Sequence, residues 1–200
     1  MISRPLQIAV VVLLLAVFGM GMYLLQTKRR AELSESHAQQ DQRPIAPPVA
    51  GAEQAVTMWV ARDADGSLHS ERVEAALPVD HPERERALVR ALLGRYETAA
   101  SQHRIGDGAD IKAIYLLPSG LAVLDMNAAF ADRHPSGVLV ETLTLASIAE
   151  TLENSSPAIK RLKFLVEGKD RATLAGHADL SGTYEIGVLA QAVPRSPELP

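Results

Sequence analysis

Residues 8–25 read IAVVVLLLAVFGMGMYLL, opening at Ile8 and closing at Leu25 without a charged side chain. No other feature constrains the chain so strongly. Eighteen helical residues rise about 27 Å, close to the roughly 30 Å hydrocarbon core of a bilayer. The reading is a single transmembrane helix, with the lipid bilayer as its partner. A cleaved signal peptide has a shorter apolar region and a small-x-small cleavage site. Here Gln26, Thr27, Lys28, Arg29 and Arg30 follow instead, so an uncleaved anchor is expected. Lys28, Arg29 and Arg30 outweigh Arg4 and the terminal amine, which by the positive-inside count favours a cytoplasmic C-terminal part.

The rest of the chain divides by composition. Residues 1–7 form a short N-terminal tail. Residues 26–53 form a linker rich in Pro, Gln and Ala, with Pro44, Pro47 and Pro48 favouring an extended tether. Residues 54–187 carry mixed strand and helix patterns, long enough for one core. Residues 188–200 include Pro194, Pro197 and Pro200 and read as a disordered C-terminal tail.

Within 54–187 the periodicities alternate. Val56, Met58 and Val60 interleave with Thr57, Trp59 and Ala61, a strand signal. Asp65-Gly66 then turns the chain into a second strand near Leu68 to Ala76, giving a hairpin. Asp80, Pro82, Glu83 and Glu85 suit a helix start; Ala87, Leu88, Ala91 and Leu92 form its apolar stripe, and Gly94 lies near its end. Strands follow at 111–117 and 120–126, joined by the Pro118-Ser-Gly turn. A second helix opens near Ser136, with Leu145, Ile148 and Leu152 on one face, and stops at Ser155-Ser-Pro157. Leu162, Phe164 and Val166 alternate in a last strand ended by Gly168. The expected domain is α+β, ordered β-β-α-β-β-α-β, with two helices packed on one face of a mixed sheet.

The strands at 111–117 and 120–126 are apolar in both phases. Such strands are covered on both faces, or one face meets a partner. The candidate interaction surface is therefore Trp59, Ile114, Leu121 and Val123.

Several chemistries are excluded or weakly signalled. A net charge of -4 argues against nucleic acid as a partner. The absence of cysteine removes disulfides, thiolate catalysis and thiol zinc sites. Asp125 ends a strand and is a candidate general base, or else a cap for the turn at Asn127-Ala128. His177 and Asp179 alternate and could form a relay or bind a metal, but no third ligand stands at a recognisable spacing. Against these stands a hydrogen bond that fixes the loop. His37, His69, His81, His103 and His134 are scattered and read as solvated. Gly106-Asp-Gly108 precedes a strand rather than opening a helix, so it reads as a loop and not a phosphate cradle. Arg161 and Lys163 point away from the apolar phase of their strand, either as a small basic surface for an acidic polymer or headgroup, or as ordinary exposed charge. No catalytic, metal or cofactor residue is assigned, and no enzyme activity is expected.

Several segments, in order, resemble the sporulation and spore germination (GerMN) domain family. They are Val56-Thr-Met-Trp-Val with Asp65-Gly-Ser-Leu68, Ala91-Leu-Leu-Gly94, and Gly120-Leu-Ala-Val-Leu-Asp125 followed by Phe130. Thr151-Leu152, Val166-Glu-Gly168 and Leu174-Ala-Gly-His-Ala-Asp179 complete the set. The resemblance spans about 130 residues in a single copy, without the cysteine of the family's lipoprotein members. It implies a non-enzymatic module related to ring-building domains of secretion-type assemblies, lying outside the cytoplasmic membrane. That places the C-terminal domain outside the cytoplasm, against the count at Lys28, Arg29 and Arg30. The expected partner is an envelope protein or a second copy. A peptidoglycan-binding module using Trp59 and Tyr115 as an aromatic platform, and a hydrolase using Asp125 and His177, are the rival readings.

Overall fold

Ten residue pairs zip Glu53–Arg62 (β1) to Ser67–Ala76 (β2) around the Asp65-Gly66 turn. Gly66 takes φ 65°, the left-handed region that a tight hairpin turn needs. Asp65 Oδ1 holds that turn by accepting from Ser67 N–H at 3.2 Å and Ser67 O–H at 2.6 Å. The computed structural model describes residues 53–196, all within one compact unit. The apolar segment 8–25 and the linker before Glu53 lie outside the described residues. Among the described residues no helix is long and apolar enough to cross a membrane.

His81–Tyr96 (α1) follows, with Pro82 in its first turn. Its buried positions are Glu85, Leu88, Val89, Leu92, Leu93 and Tyr96, a helical stripe spaced by three and four. Ala87 and Ala91 flank the stripe rather than centre it. Ile111–Leu116 (β3) and Leu121–Met126 (β4) pair antiparallel. Asn127 caps the short Ala128–Asp132 (α2), its Oδ1 accepting from Phe130 N–H at 3.0 Å. Val138–Ser155 (α3) is buried at nearly every position from Leu143 to Leu152. It packs against β1, α1 and the later helix Ile186–Ala192, as a central helix with little solvent face.

Arg161–Val166 (β5) then lies parallel to β4, a pairing that requires a crossover such as α2 and α3. Tyr184–Glu185 (β6) adds to β5 antiparallel, Ile186–Ala192 (α4) packs on α3, and Arg195–Ser196 (β7) pairs parallel with β2.

The expected order of strands and helices is present, but the single mixed sheet is corrected. The strands form two sheets, β1-β2-β7 and β3-β4-β5-β6. Their separation has a physical cause at the free border of β1. Trp59 N–H donates to Thr151 Oγ1 and Ala61 N–H to Tyr96 Oη, both at 2.9 Å. Hydroxyls from α3 and α1 thus occupy positions where another strand would bond. The expected tail from 188 onward is also corrected as far as Ser196. Ile186, Leu189, Ala190 and Val193 are buried, and Arg195 donates to both oxygens of Glu150 at 3.1 Å.

Candidate functional site

The register of the four-stranded sheet decides which apolar residues are available. Ile114, Leu124 and Phe164 align across β3, β4 and β5, and all three are buried. Tyr115, Val123 and Lys163 align in the next row and must face the other way, because side chains alternate along a strand. Ile114 is therefore core, and it cannot share a surface with Leu121 and Val123, a correction to the expected set. A register shift between Ile111 and Ala113 inserts one extra residue on β3. That bulge lets Ile111 and Ile114, three positions apart, both point inward.

The outer face carries Tyr115 (57% exposed) and Leu117 (41% exposed), with half-buried Leu121, Val123 and Leu165. Leu117 N–H bonds to Leu121 O at 2.9 Å, which keeps these two in one row. Lys163 borders the patch and is drawn aside. Its ammonium donates to Leu180 O at 3.0 Å and Ser181 O at 2.7 Å, and pairs with Asp170 at 2.7 Å. Arg161 lies 4.0 Å from Glu185. Neither base is a free cation for an acidic polymer. Trp59 stands in the other sheet, half-buried and packed against the core, so it and Tyr115 do not share a sheet face.

The residues that resembled catalytic groups hold loops instead. Asp125 accepts from Gly168 N–H at 2.6 Å, fixing a turn in which Glu167 (φ 53°) and Gly168 (φ 70°) are both left-handed. Glu167, strained there because it has a side chain, is secured by Ala128 N–H at 2.9 Å and Lys112 at 2.6 Å. Those two contacts, Lys112 first, hold its carboxyl below the usual range. The Leu124-Asp-Met126 and Val166-Glu-Gly168 segments thus meet at one corner. Asp125 does not cap the turn at Asn127-Ala128; Asn127 caps α2 itself.

His177 and Asp179 form no relay. Asp179 accepts from Ser181 N–H at 2.8 Å and its hydroxyl at 2.6 Å. His177 Nδ1 lies 3.0 Å from Glu141 Oε1 and 3.4 Å from Ser136 Oγ. A Ser-His-acid relay needs opposite ring nitrogens for the two partners, and here both meet the same one. Glu141, whose side chain is fully buried, accepts from the N–H groups of Ala175 (3.1 Å), His177 (3.0 Å), Ala178 (2.7 Å) and Gly137 (3.1 Å). Burial pulls its carboxyl up, but these donors more than offset that and bring it down to about 2. Sequence reading missed Glu141; its signal was an acid in the first turn of a helix.

His103 and His134 are buried, a correction to the solvated reading. His103 bridges Asp63 (2.6 Å) and Thr144 Oγ1 (2.7 Å); His134 bridges the same hydroxyl (2.7 Å) and Pro135 O (2.8 Å). Burial lowers both rings' proton affinity. His81 is exposed, while His69 is half-buried beside Ser67 and Asp65. His37 lies outside the described residues. Gly106 packs directly on the Arg133 main chain and opens no helix. A cleft of about 300 Å³ is lined by Arg62, His69, Glu71 and Arg95. Its cations already face Asp65 and Glu71. Among the described residues no group of three His, Cys, Asp or Glu side chains is placed to hold a metal ion.

Loops held by internal carboxylates, beside an apolar sheet face that no described element covers, define a small α+β module. The chain belongs to the sporulation and spore germination family, whose model matches residues 39–172. Its fold is similar to that of the tandem GerMN domains of the sporulation protein GerM from Bacillus subtilis. The TM-score is 0.52 at 11% identity, over 67% of this chain and 46% of that one. The chain thus spans less than half the length of that structure. A putative lipoprotein from Clostridium perfringens matches at TM-score 0.41 and 16% identity, over 74% and 95% of the two chains. The first GerMN domain of GerM matches at 0.41 and 12%, over 64% and 92%. No curated protein sequence matches the chain.

Proposed function

We propose that this protein is a non-enzymatic interaction module of the cell envelope. Residues 8–25 anchor it in the cytoplasmic membrane by a single pass, and the domain stands outside the cytoplasm. It docks an envelope protein on the outer face of β3-β4-β5. The observation that carries this reading is the cluster of Tyr115, Leu117, Leu121 and Val123 on one sheet face that no described element covers. Family membership supports it, as does the use of Asp125, Glu141 and His177 within the protein's own loops. Anchoring to a shared membrane raises effective concentration, so a modest contact suffices.

The test is crosslinking in intact cells from a photoreactive residue at Val123. The expected result is a discrete adduct with one envelope protein, lost in Tyr115→Asp while the variant remains folded. Adducts from a buried-side control such as Phe164 but none from Val123 overturn the reading. Retention on isolated cell wall that disappears in Tyr115→Ala replaces it with a glycan-binding one.

A further inference from the structure

β2 has one border on β1 and another that the described residues leave nearly bare. Over its ten residues, β7 covers only Leu68 and His69. Leu68 N–H bonds to Pro194 O on that side, at 2.9 Å. This fixes the phase: the main-chain groups of Arg72, Glu74 and Ala76 point outward, and those of Val73 and Ala75 point to β1. Among the described residues no strand lies beside 71–76. Arg72 and Glu74 are exposed and have no ionic partner among the described residues. An open border of this length is a template for another strand.

The sequence of the border says which strand fits. A two-fold antiparallel pairing must set outward groups opposite outward groups, so near the middle of the bare stretch it centres on residue 72, 73 or 74. Centring on Arg72 opposes two guanidinium groups, and centring on Glu74 opposes two carboxylates. Centring on Val73 puts Arg72 of each copy opposite Glu74 of the other, and Val73 opposite Val73. Opposite charges across a strand pair stabilise and like charges oppose it. We infer that the β2 border pairs with the same border of a second copy of this chain, in the register centred on Val73. The inference rests on the reading of the domain as a binding module, but uses a surface apart from Tyr115 and Val123.

The chain has no cysteine, so a single Val73→Cys substitution reports on itself. In that register Val73 forms a non-hydrogen-bonded pair, with Cα atoms about 4.5 Å apart, within disulfide reach. The full-length protein in detergent is oxidised gently and the linked dimer followed. Val73→Cys is expected to crosslink at least tenfold faster than Val79→Cys, an exposed control. Arg72→Glu added to Val73→Cys is expected to slow it at least tenfold, and Glu74→Arg added in turn to restore it within threefold. Equal rates for the two cysteines, or no recovery in the charge swap, overturns the inference. The Val123 adduct is read in the same variants. Its persistence in Arg72→Glu separates failure here from failure of the docking reading.

Discussion

Glu141 is the residue on which most local order converges. A carboxylate held at about 2 rather than 4.5 contributes on the order of 3 kcal/mol at neutral pH. Because the folded-state value is depressed, that contribution is present above pH 4.5 and is lost as pH falls toward 2. Glu141→Gln is expected to reduce stability at pH 7 by about 2 to 3 kcal/mol. The gap to the wild type should close between pH 4.5 and 2, as followed by urea denaturation across that range. Legibility at this scale was uneven. Asp65-Gly66 announced its turn because a type-specific turn depends on two adjacent residues. Glu141 showed only its place in the first turn of a helix, and His103 and His134 showed nothing, since His177, Asp63 and Thr144, which they meet, lie 36, 40 and 10 positions away.

Among the elements, β1 shows how helices can close a strand border. Tyr96 is fully buried, and burial pushes its hydroxyl's proton affinity up. Tyr96→Phe leaves the Ala61 N–H without an acceptor. The expected cost is about 1 to 3 kcal/mol, read by denaturation, with faster hydrogen exchange at the Ala61 amide. The longer strands were readable because alternation over five or more residues is a strong pattern. Four elements were missed because each is short. For α4 the spacing of Ile186, Leu189, Ala190 and Val193 was present in the sequence, but the following prolines made it look like a tail. The doubly apolar phase of β3 and β4 left open whether both faces were covered or one met a partner. It could not say which phase was buried, because that depends on where α1 and α3 lie.

For the molecule as a whole, the partition into two sheets was beyond sequence reading. Which strands pair is set by hydroxyls at the border of β1 and by a crossover between β4 and β5, neither of which is local. The C-terminal elements tie the two sheets together: β6 joins one, β7 the other, with α4 between them on α3. Leu189, 5% exposed, sits in that link. Leu189→Asp buries a charge without a partner and is expected to cost about 3 kcal/mol or more. The loss should appear as a single lowered transition for the whole domain, monitored by circular dichroism on heating.

The hydroxyls of Thr151 and Tyr96 have one more effect. Among the described residues they occupy the border of β1 at Trp59 and Ala61, while the border of β2 at 71–76 has no such cover. If β2 pairs with its twin as proposed, that junction consumes the same border on both copies, so this sheet stops at two members instead of running on into a fibril.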